Sequence, residues 1–246
     1  CPFHQEKTPS FIVSPDRRIW HCFGACGEGG DIIKFAMKYE NLEFGEALRF
    51  LAEKAGIATE FMNLRDQRET NVLYEIHEIA KKFFKENLLK NKVAQEYLKS
   101  RNLNEETINE FELGYASGGE TLTLYLINLG YDVNDILKSG LSQKNSRGLF
   151  WDKFQNRIIF PIENHLGRTV AFTGRLLETS SSHNQESTAP KYLNSPETPI
   201  FNKSKILYGL SRTKNFIAES RNVFLVEGQM DFLDCWQAGV KNVAAV

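Results

Sequence analysis

The chain has 246 residues, 41% of them hydrophobic and 25% charged, and a formal net charge of −1. That is apolar material enough for packed cores, in one large domain or two to three small ones. No run approaches eighteen consecutive apolar residues, so no membrane-spanning helix is expected, and no membrane partner.

The chain opens on Cys1 rather than methionine and stops inside the apolar run Val243-Ala244-Ala245-Val246, so it reads as part of a longer protein. Three of its four cysteines lie in the first segment beside a histidine. That points to metal binding in a reducing compartment rather than to a disulfide framework. Cys1-Pro2-Phe3-His4 is C-x2-H; after seventeen intervening residues comes Cys22 and, after three more, Cys26. Two close pairs of soft or borderline ligands can meet around one tetrahedral Zn²⁺, and four protein ligands close the shell, which makes such a site structural. His21, next to Cys22 on an extended stretch, would point to the opposite face and is the weaker ligand candidate. Between the pairs, residues 10–13 and 18–21 read as short strands joined by a turn at 14–17. A helix is expected after Gly29-Gly30, with Asp31 as N-cap and Ile32, Phe35, Ala36 and Tyr39 as its apolar stripe. Residues 42–55 repeat the pattern and end at Gly56. A domain this small needs its metal to be stable.

Residues 58–70 carry many charges with weak periodicity and read as an interdomain linker. A long helix is expected over 71–89, with Val72, Leu73, Ile76, Ile79, Ala80, Phe83 and Phe84 as its stripe. Shorter helices are expected over 92–100, 105–110, 121–129 and 133–139. From Arg157 the period changes to that of strands: 157–162 and 169–173 form a hairpin around 164–167. Residues 177–190 are rich in Ser and Thr and read as a mobile surface loop. The segment from Pro190 to Lys203 is polar and rich in turn formers, and composition alone makes it a loop as well. From Lys153 to Lys214 nine Lys/Arg stand against four Glu, an excess of +5 that suits a surface facing a polyanion. Val223 to Val226 then reads as a buried strand, 229–238 as a helix with Phe232, Leu233 and Trp236 on its inner side, and 240–246 as the start of another strand. A right-handed crossover makes the two strands parallel. Cys235 falls in the helix as a core residue. Glu227 and Asp231 thereby sit at the top of a strand, where open α/β sheets bind ligands.

Residues 1–57 resemble the zinc-binding domain of bacterial DNA primases. The likeness rests on Cys-Pro-Phe-His-Gln-Glu-Lys-Thr-Pro-Ser-Phe, His-Cys-Phe-Gly and Cys-Gly-Glu-Gly-Gly-Asp, with Ala25 as an extra residue in the second ligand pair. The family uses this domain to engage single-stranded template, a task that would suit Lys7, Arg17, Arg18 and Trp20. Downstream, Phe-Pro-Ile, Gly-Arg-Thr-Val-Ala-Phe-Thr-Gly-Arg, Lys-Tyr-Leu-Asn-Ser-Pro-Glu-Thr, Phe-Asn-Lys and Leu-Tyr-Gly-Leu resemble, in order and spacing, the N-terminal part of the primase RNA-polymerase domain. The family carries functional basic residues at the positions of Arg101, Arg175, Lys191 and Lys203, which hold template, nascent RNA and incoming nucleotide. Glu227-Gly228-x-x-Asp231 resembles the first motif of the Toprim fold. That motif binds Mg²⁺ or Mn²⁺ together with an Asp-x-Asp on a later strand, and no Asp-x-Asp occurs in this chain.

The resemblance therefore implies an α+β chain: a zinc-ribbon β domain with helices (1–57), a linker (58–70), a mixed helical and β subdomain (71–220) and the first β-α-β unit of a Toprim domain (221–246). It implies one structural zinc per chain on Cys1, His4, Cys22 and Cys26, and catalytic carboxylates Glu227 and Asp231 in an incomplete Mg²⁺ or Mn²⁺ site. The parent would be a cytoplasmic nucleotidyltransferase that makes short RNA primers on single-stranded DNA from ribonucleoside triphosphates. Its replicative helicase would bind through a C-terminal region outside these residues. The fragment alone is expected to bind zinc, and single-stranded DNA weakly, without polymerising. A phage or plasmid primase–helicase, or a non-catalytic zinc module that binds single-stranded DNA, are the alternatives.

Overall fold

The computed structural model describes residues 1–42, 44–57, 64–145, 147–177 and 189–246. They form two compact units, Cys1–Leu64 and Arg65–Val246. In the first, strands β1 (Phe11–Ser14), β2 (Ile19–Cys22) and β3 (Gly29–Gly30) make an antiparallel sheet in that order. Helices α1 (Ile32–Tyr39) and α2 (Phe44–Ala55) follow. Asp31 caps α1 by accepting a hydrogen bond from the Lys34 amide, so the chain turns helical where a side-chain acceptor meets an orphan donor. Trp20 is 4% exposed, packs among Phe3, Phe11 and Phe35, and donates its indole N–H to the Asp31 carbonyl at 2.9 Å. It is therefore a core residue joining the sheet to α1, and the expectation that it stacks on bases is corrected: a strand side chain serves one face only.

The second unit opens with α3 (Leu64–Lys90), followed by α4 (Lys92–Ser100), α5 (Glu105–Glu110), β4 (Gly114–Ala116), α6 (Thr121–Asn128), α7 (Val133–Lys138), β5 (Ser142–Lys144), β6 (Phe150–Asp152), β7 (Arg157–Glu163), β8 (Thr169–Leu176) and β9 (Tyr192–Asn194). The helix expected from residue 71 thus begins at Leu64, so 64–70 of the expected linker is helical. Glu69 in that stretch pairs with Lys138 at 2.7 Å. Side chains Asn91, Asn104 and Asp132 cap α4, α5 and α7. The expected linker residues 58–63 and loop residues 178–188 lie outside the described residues.

One four-stranded antiparallel sheet, ordered β4-β7-β8-β9, organises this unit. It is covered on both faces, which is why β7 is a nearly continuous apolar run rather than an alternating one. Ile158, Phe160 and Ile162 enter a core with Leu98, Phe111, Phe232 and Trp236; Ile159 and Phe172 enter another with Ile76, Ala80, Phe84 and Leu126. The buried stripe of α3 also includes two polar residues, His77 and Lys81. Lys81 is held by Glu78 at 3.0 Å and Glu112 at 2.6 Å, and Glu78 in turn accepts from the Thr169 amide and hydroxyl. Residues 192–194 are not loop, as composition suggested, but strand: β9 pairs with the edge of β8.

The chain ends in α8 (Leu210–Ser220), β10 (Phe224–Val226), α9 (Gln229–Gln237) and β11 (Val243–Ala245), with β10 and β11 parallel. Phe232, Leu233 and Trp236 of α9 are buried as expected, and Cys235 is half-buried against the same core. β10 departs from expectation. Phe224 is 58% exposed and Leu225 60%, so this strand is not buried. Its one strand neighbour among the described residues is β11, and α8 and α9 pack mainly against β11. Among the described residues no helix is long and apolar enough to cross a membrane.

Candidate metal centre and catalytic cleft

In the first unit, one ligand atom each from Cys1, His4, Cys22 and Cys26 lies within 4.8 Å of all the others. The Cys1 and Cys26 sulfurs are 3.8 Å apart, and His4 Nδ1 is 3.7 Å from Cys22 Sγ. Tetrahedral Zn²⁺ with Zn–S bonds of about 2.3 Å requires S···S edges of about 3.8 Å, so the donors fit this ion in type and spacing. The longer second pair is taken up by a turn in which the Gly27 amide bonds the Gly24 carbonyl at 3.1 Å. The amides of Phe3 and Gly24 point at the sulfurs of Cys1 and Cys22, at 3.4 and 3.3 Å. Gly24 is required there: a Cβ would stand 2.4 Å from Ser10 Oγ and 2.8 Å from His4 Nε2. His21 does not join the cluster. It is exposed and lies against Phe23, which is 72% exposed, with ring centroids 4.5 Å apart. Lys7, Arg17 and Arg18 are exposed as well.

In the second unit, register builds a cleft. β8 and β9 pair Thr173 with Asn194 and Arg175 with Tyr192. Because strand side chains alternate, these four share one face of the sheet. Thr173 donates to Asn194 at 2.8 Å, Gln229 at the start of α9 donates to Thr173 at 3.3 Å, and Arg175 bonds the Tyr192 hydroxyl. The guanidinium of Arg175 also lies over the rings of Tyr97 and Tyr192, at 5.6 and 5.2 Å. Opposite this face stand Glu227 and Asp231, and the two sides enclose a cleft of ≈ 410 Å³ that is also lined by Lys203 and Tyr208. Lys203 opens a 3₁₀ turn (Lys203–Lys205) capped by the Asn202 side chain. Glu227 follows β10 directly, and Asp231 occupies the first turn of α9, where the helix N-terminus favours a negative charge. Tyr208 is buried, and burial pushes its phenol pKa up.

The structure thus brings Lys203, Glu227 and Asp231 onto one cleft and ties Arg175 to it through Tyr192. Lys191 and Arg101 do not line it. The Lys191 carbonyl is anchored by the Leu176 amide and by Arg157, and its side chain is exposed. Arg101 ends α4 and acts on Asp234 of α9, whose pKa is raised by burial and by Asp231 and lowered by Arg101. Tyr192, Thr173, Asn194 and Gln229 were not singled out from sequence. The alternation Thr-x-Arg and Tyr-x-Asn was the available signal, but its meaning depends on the pairing of two strands. Oxygen donors such as Glu227 and Asp231 suit Mg²⁺ or Mn²⁺. Two carboxylates supply part of such a shell; among the described residues, the one cluster of three or more His, Cys, Asp or Glu able to hold a metal is the Cys/His set.

Family models match most of the chain: the CHC2 zinc finger over residues 1–67 and the N-terminal domain of the DNA primase catalytic core over residues 83–214. The chain is 38% identical over 258 aligned residues to the DNA primase of Listeria monocytogenes, with all of this chain and 40% of that protein covered. The solved zinc-binding and RNA polymerase domains of Aquifex aeolicus primase match at a TM-score of 0.66 and 36% identity, covering 100% of this chain and 58% of that one. The RNA polymerase domain of Mycobacterium tuberculosis primase, solved with a double-stranded DNA oligomer bearing a 6-nucleotide overhang, matches at 0.65 and 29%, covering 71% and 54%. The chain spans about 40% of the length of the first curated relatives it matches. These likenesses favour the primase over the primase–helicase and the non-catalytic zinc module.

Proposed function

The chain belongs to the DNA primase family, and from that premise we propose that it carries the template-engaging and phosphate-holding half of a primer-synthesising centre. The observation that carries this reading is the single cleft lined by Lys203, Glu227 and Asp231, with Arg175 joined to it through Tyr192. The parent protein makes short RNA primers on single-stranded DNA from ribonucleoside triphosphates, in the cytoplasm, with a replicative helicase engaged through a region beyond these residues. The whole parent is a nucleotidyltransferase; this fragment alone does not polymerise.

Each part of the chain then has a task. One Zn²⁺ held by Cys1, His4, Cys22 and Cys26 has a closed shell and organises the first unit rather than taking part in the chemistry. On that unit's sheet, the exposed His21 and Phe23 offer faces for unpaired bases, and Lys7, Arg17 and Arg18 contact phosphates. In the cleft, Lys203 and Arg175 hold phosphate oxygens, the guanidinium by two parallel hydrogen bonds. Lys191 and Arg101 extend the basic track outside it. Tyr192 offers a ring for stacking, and Thr173, Asn194 and Gln229 offer hydrogen bonds that fix a nucleotide's orientation. Glu227 and Asp231 would hold Mg²⁺ or Mn²⁺, which when bound would lower the pKa of the attacking 3′-hydroxyl and neutralise the pyrophosphate leaving group.

The test uses the parent protein on a single-stranded template with labelled ribonucleotides. Glu227→Gln should reduce incorporation by several hundredfold while template affinity stays within twofold. Lys203→Ala should lower both. Incorporation at the wild-type rate by Glu227→Gln, or incorporation by the 246-residue chain alone, sinks the reading.

A further inference from the structure

Around the four metal-ligand side chains lies a second set of polar contacts. His4 turns Nδ1 toward Cys22 Sγ, at 3.7 Å, and Nε2 toward the carboxylate of Glu6, at 3.3 Å. A neutral imidazole that ligates through Nδ1 carries its proton on Nε2, so the ring's free N–H meets an acceptor. Glu6 is itself held in place. Its Oε1 accepts from the Ser10 amide at 3.1 Å, and its Oε2 accepts from the Ser10 hydroxyl. The same hydroxyl lies 3.3 Å from Cys22 Sγ. Both His4 and Glu6 are largely sheltered, with side chains 15% and 14% exposed. Gly24 closes over this network, where any Cβ would collide with Ser10 and His4.

We propose that Glu6 and Ser10 are positioning residues of the metal centre: Glu6 fixes the tautomer and ring orientation of His4, and Ser10 locks Glu6 through its amide and its hydroxyl. A carboxylate on the far nitrogen of a ligating histidine raises its basicity and holds the ring in the ligating pose. In sheltered surroundings that charge-assisted bond is stronger than a neutral one. The contacts span only residues 1–26, so the set assembles as β1 pairs with β2: Ser10 leads into β1 and Cys22 ends β2. The inference rests on reading Cys1, His4, Cys22 and Cys26 as zinc ligands.

The experiment follows zinc release from the full chain to a colorimetric chelator, and the ligand-field spectrum after Co²⁺ replacement. Glu6→Gln should release zinc about 10- to 100-fold faster. Ser10→Ala should do so by a smaller factor. The Co²⁺ d–d envelope should shift in Glu6→Gln while thiolate charge-transfer intensity stays that of three sulfurs. His4→Cys supplies the decisive background, because a cysteine there leaves Glu6 no imidazole to orient. In it, Glu6→Gln should change the release rate by less than twofold. Equal acceleration in both backgrounds would mean that Glu6 merely supports the local fold, and it would overturn the proposal. So would Glu6→Gln releasing zinc at the wild-type rate with an unshifted Co²⁺ spectrum. A wild-type chain that retains no zinc would instead remove the ligand assignment on which the inference stands.

Discussion

The Cys1–Leu64 unit and the Arg65–Val246 unit are held together by different physics. In the first, the buried apolar cluster of the helices is Ala36, Leu42 and Ala47, bordered by half-buried Ile33, Met37, Phe50 and Leu51. Small side chains bury little area, and a four-ring aromatic cluster of Phe3, Phe11, Trp20 and Phe35 ties the sheet to α1. In the second unit Phe154, Phe160, Phe172 and Phe232 are each under 2% exposed. Each contributes roughly 1.5–3 kcal/mol by leaving water. The difference teaches that a metal can supplement a small core, and that the two units should fail under different insults.

Metal removal should separate them most sharply. Structural zinc in small domains contributes on the order of 10 kcal/mol to folding. A strong chelator, or Cys22→Ser, should therefore unfold the first unit while the near-ultraviolet circular dichroism of the second persists. A first unit that keeps Trp20 buried without zinc would erase the contrast. Next in size, Phe160→Ala should destabilise the second unit by about 3–5 kcal/mol in urea and leave zinc content unchanged.

Acid gives a third test, centred on His77. It is buried, stacks on Phe172 with centroids 5.7 Å apart, has Nδ1 2.7 Å from the Leu73 carbonyl, and leaves Nε2 without a hydrogen-bond partner. Burial lowers its pKa from 6.5 to about 4. The unfolded chain thus takes up a proton near pH 6.5 that the folded chain refuses until about pH 4. Its contribution is complete above pH 6.5 and is lost as pH falls through that window, on the order of 3 kcal/mol in all. His77→Leu should flatten the dependence in urea titrations read by fluorescence of the second unit. The smallest effect belongs to Lys203→Ala, which should make the salt dependence of single-stranded DNA binding shallower by about 0.7 in log–log slope. Glu110→Gln, which keeps a partner for the Trp236 indole, should leave that slope unchanged.

The Cys/His cluster of Cys1, His4, Cys22 and Cys26 was legible because a metal-binding set is a local rule of residue type and spacing. So were α1, α4, α5 and α9, whose stripes and caps are written within a dozen residues; Asp31 is the cap that sequence nominated. The short strands β4, β5 and β6 were not legible, since three residues give alternation too little length to declare itself. β9 was hidden for the same reason inside a segment of turn formers. His77 and Lys81 escaped notice because a polar residue within an apolar stripe is read as belonging to the solvent side until its partners, here Glu78, Glu112 and Phe172, are known.

Sequence by itself determined the chemistry available to this protein: three thiols and an imidazole in two close pairs, two carboxylates at a strand end, and a run of basic residues between them. Tertiary structure decided which of these meet. Pairing of β8 with β9 turned Thr173, Arg175, Tyr192 and Asn194 to one face, and the seating of α9 brought Glu227 and Asp231 opposite them with Lys203. It kept Arg101 and Lys191 off the cleft wall and buried Trp20. Ligand type and helical period are properties of neighbours along the chain. Which face a strand residue presents, and what covers it, depends on partners dozens of residues away, and those are decided by packing.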